Sequence, residues 1–123
     1  MKLQHINPTE TKAWQKLKSH FSETEQQSIQ DLFQNDAKRA EKFNIDWNEF
    51  YVDFSKNNWT EETVQLLINL ANEVGLPDAI SKYFTGEKIN ETEDRAVLHT
   101  ALRANENDVI LFEGKNVIPE IYD

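Results

Sequence analysis

The 123-residue sequence has no cysteine, so disulfides, thiol nucleophiles and cysteine-ligated metals are excluded. It has little glycine or proline, three of each, and no repeat or low-complexity tract. No apolar run is long enough to span a bilayer, and the opening MKLQHINPTE lacks the hydrophobic core of a signal peptide. The default location is therefore cytoplasmic. Cations are scarce: 13 Lys and Arg stand against 22 Asp and Glu, giving a net charge of −9. That balance repels nucleic-acid phosphates and anionic membrane surfaces, so neither is expected as a partner. Two of the three histidines, His5 and His20, do not fall in the spacing of a known metal motif and read as surface residues. No metal or cofactor is expected. What remains is one domain's length of chain, 38% apolar and 28% charged. Its core should be thin, or its helices should wrap around something the chain lacks.

Helical periodicity dominates, which predicts a mainly α fold with a small β component, a short strand plus a hairpin. Helices are expected near residues 8–21, 24–34, 36–43, 60–74, 77–84 and 91–103. Asn7, Pro8 and Glu10 read as the first helix start, with Ala13, Trp14, Leu17 and Phe21 on its hidden face. Ser22 and Glu25 repeat the capping pattern before Ile29, Leu32 and Phe33. Asn35 and Asp36 lead a third helix with Ala37, Ala40 and Phe43 inward, and Lys38, Arg39 and Lys42 on a solvated face. Thr60 caps the strongest helix, where Val64, Leu67, Ile68 and Ala71 face the core. Leu66, Leu70 and Val74 widen that arc, and Gly75 ends it.

Residues 50–54 carry aromatic and β-branched side chains with partial alternation, which predicts a strand. Asp53 has no second acid or histidine beside it in sequence and reads as structural rather than catalytic. Residues 109–118 predict a hairpin with Gly114 in its turn, expected to pair with the 50–54 strand because a lone hairpin is marginal in water. Gly114 and Lys115 do not make a phosphate loop, since the upstream glycine and the following Ser or Thr are missing. Residues 119–123 resemble the first turn of a helix.

The stretch GEKINETEDRAVLHTALR, residues 86–103, reads locally as a capped helix. Asn90 with Glu93 forms a box, and Val97, Leu98, Ala101 and Leu102 form an apolar stripe. Arg95, His99 and Arg103 lie four apart, with Glu91 placed to pair with Arg95. This cationic stripe reads as a packing element in contact with acidic neighbours.

The same stretch resembles the N-terminal signature of glucose-6-phosphate isomerases. So do Ile6-Asn7-Pro8-Thr9 with Ala13-Trp14, Asp53-Phe54-Ser55-Lys56-Asn57, and Gly114 through Glu120, in the expected order over nearly the whole chain. The resemblance implies the N-terminal helical segment, residues 1–123, of an α/β enzyme whose sugar-isomerase (SIS) catalytic domains are absent. It implies interconversion of glucose 6-phosphate and fructose 6-phosphate, in glycolysis and gluconeogenesis, without metal or organic cofactor. A glutamate base there moves a proton between C1 and C2 through a cis-enediol, and the sugar phosphate is held by the SIS domains. None of their motifs is found here, so Glu87, Lys88, Arg95 and His99 match the signature without catalytic roles. The site list is empty: no catalytic, cofactor-binding or metal residue. Two functions follow. One is a packing and dimer-supporting portion of an isomerase, inactive alone and expected to form a homo-oligomer. The other is a stand-alone helical protein-interaction module. An exposed apolar patch is expected from the 60–74 helix with Ile118, Ile121 and Tyr122.

Overall fold

In the computed structural model, which describes residues 2–123, six α-helices account for most of the ordered backbone and the β structure is confined to two small hairpins. The fold is mainly α with a minor β part, as the periodicity predicts. Two compact units are resolved, residues 9–70 and residues 2–8 with 71–123, the boundary falling inside one helix.

In the first unit, Pro8–Glu10 is a 3-10 turn, and α1 (Lys12–Thr24) is capped by Thr11 rather than Asn7. The Thr11 hydroxyl accepts from the Trp14 N–H at 3.1 Å. α1 runs through the expected second cap: the Ser22 hydroxyl donates to the Lys18 carbonyl within the helix. The reciprocal box instead belongs to Ser28 and Asp31, opening α2 (Ile29–Asn35). The inward position near the end of α1 is taken by His20, whereas Phe21 is exposed. α3 (Arg39–Lys42) keeps Lys38 and Lys42 on the predicted solvated face but not Arg39. Arg39 is buried while Ala37 and Ala40 are exposed, leaving Phe43 as the only inward member of the expected set.

The next segment folds back on itself. β1 (Asn44–Trp47) pairs antiparallel with β2 (Phe50–Asp53), turning at Asn48, whose φ of 52° is left-handed. The predicted strand is therefore present. Its partner is β1 and not the distant hairpin, because a two-residue turn brings β1 alongside at far lower loop-closure cost. α4 (Glu61–Glu73) begins as predicted: Thr60 and Thr63 exchange hydroxyl and N–H bonds at 3.2 and 3.0 Å. Leu66, expected at the margin of its arc, is its buried residue, and Ile68 is exposed.

In the second unit, Gly75 takes a left-handed φ of 75° and α5 (Leu76–Thr85) starts directly after it. Lys82 is buried on α5, donating to Asp78 at 2.6 Å and to the Lys2 carbonyl at 3.1 Å. Residues 91–98 are not helical; only His99–Arg103 coils, as a 3-10 helix. β3 (Leu111–Phe112) pairs with β4 (Lys115–Asn116) across Glu113 and Gly114, both at positive φ, the combination favoured in tight hairpins. α6 (Pro119–Tyr122) is a single turn with proline at its start. Ile118, expected to be exposed, is fully buried. No helix among the described residues is long and apolar enough to cross a membrane.

Candidate functional site

Residues 53–57 are organised by a buried cation. Arg39 Nε donates to the Ser55 carbonyl at 2.8 Å, and one terminal nitrogen donates to the Asn57 and Trp59 carbonyls, each at 2.8 Å. Its guanidinium lies 4.3 Å from the Phe43 ring centroid. Three carbonyls and an aromatic face thus replace the water that burial removes. Asp53 Oδ1 accepts the Ser55 N–H at 2.8 Å. Hydrogen bonds from the Ser55 side chain and backbone hold the Asp53 carboxyl below its ordinary value, with Lys56 adding to the effect. Asp53 is therefore an ionised carboxylate that fixes the turn at Ser55.

Residues 86–103 are laced by short-range polar contacts. Asn90 and Arg95 exchange backbone bonds at 3.0 and 3.1 Å, closing a bridge where a helix is expected. Asp94 sits at the left-handed φ of 51°. Lys88 reaches Glu113 at 3.2 Å and Asp94 at 3.3 Å, and these hydrogen bonds, Glu113 first, raise its pKa. Glu91 does not pair with Arg95. It accepts from His5 Nε2 and the Leu3 N–H, at 3.2 and 3.1 Å, and the His5 bond is the main reason its carboxyl lies below the usual range. Arg95 instead approaches Glu93 at 3.7 Å. Arg95, His99 and Arg103 are all exposed and form no helical stripe, because residues 91–98 have no helix to align them.

His20, like Arg39, is buried where the sequence suggests a surface residue. Its Nε2 lies 2.7 Å from the Thr63 hydroxyl and its Nδ1 3.7 Å from Glu62. A signal existed: His20 follows the buried Ala13 by seven residues, two helical turns, on the same face of α1. A cavity of about 450 Å³ opens beside it, lined also by Glu23, Asp36, Glu61 and Glu62. Lys42 bridges Asp36 at 2.9 Å and Glu61 at 3.3 Å, which raises its own pKa and lowers that of Asp36. No group of three or more His, Cys, Asp or Glu among the described residues is arranged to hold a metal ion. With four carboxylates on its wall against one lysine, this cavity is electrostatically suited to a cation and hostile to a phosphate ester.

Comparison with known proteins now bears on both motif segments. The sequence model of the family described as phosphoglucose isomerase matches residues 53–123, starting at the Arg39-anchored turn and covering the whole 86–103 stretch. The chain belongs to the phosphoglucose isomerase family. It is also 54% identical over 121 residues to a glucose-6-phosphate isomerase of Christiangramia forsetii, an alignment covering 98% of this chain. That alignment spans 22% of the relative's length. Within the phosphoglucose isomerase match, the family-like residues Lys88, Glu91 and Asp53 hold local backbone and ion-pair geometry, and Arg95 and His99 lie at the surface.

Proposed function

We propose that this chain is the N-terminal portion of a cytoplasmic glucose-6-phosphate isomerase, serving to pack against and support the dimeric catalytic body without supplying its base. The alignment to about a fifth of an isomerase, across nearly all of this chain, carries the reading. The electrostatics support it. Aldose–ketose isomerisation needs a carboxylate or histidine poised over the C1–C2 carbons, and donors that stabilise the enediolate. Asp31, Asp53 and Glu91 instead have lowered pKa values, and each accepts a backbone N–H. The cavity beside His20 presents carboxylates where a sugar phosphate would need cations.

Two measurements test this. A coupled assay on the purified 123-residue chain should show no conversion of fructose 6-phosphate above background. A chimera in which this sequence replaces the aligned 121 residues of the Christiangramia forsetii enzyme should be active. A saturable rate from the short chain, or an inactive chimera, refutes the reading.

A further inference from the structure

The β1–β2 hairpin has a face with nothing on it. Residues paired across an antiparallel ladder point to the same side, and so do residues two apart along a strand. The pairs Ile45 with Val52 and Trp47 with Phe50 therefore share one face. Asn44, Asp46, Tyr51 and Asp53 share the other. The first face is wholly apolar and open, with Ile45 56%, Trp47 64%, Phe50 64% and Val52 51% exposed. The Trp47 and Phe50 rings stack with centroids 5.9 Å apart, so the face presents a continuous surface. Evenly alternating chemistry of this kind is what a strand acquires to bury one side, and a lone two-stranded hairpin is marginal in water.

Size and charge select the occupant. The four side chains offer roughly 350 Å² of apolar surface. Two copies meeting through this face would bury roughly 700 Å², short of the ~1,200 Å² at which stable complexes begin. The hairpin is also acidic as a whole, with Asp46 and Asp53 on its opposite face, Glu49 in its turn and no Lys or Arg in residues 44–55. A second copy would bring together two hairpins of the same negative charge. A partner within one polypeptide escapes the association entropy that a small patch cannot overcome, and roughly 700 Å² is ordinary between domains of one chain. The matched relative has about four fifths of its length outside the aligned segment to provide it.

We propose that the Ile45, Trp47, Phe50 and Val52 face is a docking surface for an apolar face in the remaining part of the isomerase polypeptide. The inference rests on reading the chain as a portion of that enzyme. Hydroxyl-radical footprinting of the isolated chain and of the chimera tests it, with Tyr51 on the opposite face as internal reference. Trp47 and Phe50 should be oxidised several-fold more slowly, relative to Tyr51, in the chimera than in the isolated chain. Equal rates in an active chimera would overturn the docking surface while leaving the isomerase reading intact. Protection that grows with concentration of the isolated chain would identify a second copy as the occupant and overturn it too. An inactive chimera would remove the isomerase reading, and the docking inference with it.

Discussion

Residues 60–73 and residues 90–103 carry the same kind of helix-start signal, and only the first becomes an α-helix. Thr60 and Thr63 satisfy one another's backbone N–H groups, and α4 follows for 13 residues. Asn90 and Glu93 also bond, at 3.2 Å, yet Asn90 gives its backbone to Arg95 instead. The difference lies in what competes. Side chains of Asn, Asp and Thr offer the backbone local alternatives to a helix, and residues 90–94 hold one of each. The Thr92 hydroxyl donates to the Asn90 side chain at 2.8 Å. Glu91 is drawn to His5 and Leu3, and Lys88 gathers Asp94 and Glu113. The helix follows where the capping side chains keep their bonds to each other's backbone N–H groups, as Thr60 and Thr63 do while also meeting His20, and not where the backbone pairs elsewhere, as Asn90 does with Arg95.

Gly86 gives the strongest handle on this contrast. It ends α5 at a φ of 74°, and a Cβ there would stand 2.8 Å from the Leu111 carbonyl oxygen. Gly86→Ala should cost about 2–4 kcal/mol, combining left-handed strain with a backbone clash. Gly75→Ala should cost only about 1–2 kcal/mol, since Gly75 has a similar φ of 75° but meets only the Gln4 side chain, at 3.5 Å. Urea melts of the two variants should rank them in that order. Equal losses would mean that the Leu111 approach carries no energy.

A smaller effect separates the two capping sites. Thr60→Ala should destabilise by about 1 kcal/mol, because it removes the hydroxyl that accepts the Thr63 N–H. Asp94→Gly should instead leave stability unchanged or raise it by up to about 1 kcal/mol, by relieving the left-handed φ of 51°. Were residues 91–98 helical, the same glycine would cost about 1 kcal/mol, so the sign of the change decides.

The mildest test is acidification. Because folding lowers the Glu91 pKa from its ordinary value of 4.5, the associated stability is present above that value. It is lost as the pH falls through the lowered folded value. The Leu3 amide resonance should shift in that window, and Glu91→Gln should abolish the transition. An unchanged transition in the variant would assign it to another carboxylate.

The polar interior, β1 and the open 91–98 segment are less legible in the sequence than the helices before residue 86 and the hairpin around Gly114. The charged neighbours Lys38, Glu41 and Lys42 suggest a solvated face for Arg39. Its burial depends on carbonyls up to 20 residues away, at Ser55, Asn57 and Trp59, that no local pattern announces. Aromatic and β-branched density marks β2, whereas β1 alternates cleanly as Asn44, Ile45, Asp46 and Trp47 but over only four residues, too short a run to stand out.

The sequence by itself determined the helical class, the Thr60 cap, the stop at Gly75, the turn around Gly114 and the resemblance to the isomerase family. These are properties of neighbouring residues, governed by backbone conformation, capping chemistry and period. Tertiary structure alone decided the rest. It buried Arg39, His20 and Lys82, opened residues 91–98 into a bridge and turns, paired β2 with β1, and left the Trp47–Phe50 face uncovered. Those outcomes depend on which polar and apolar groups meet across long sequence separations, and local patterns do not specify those meetings.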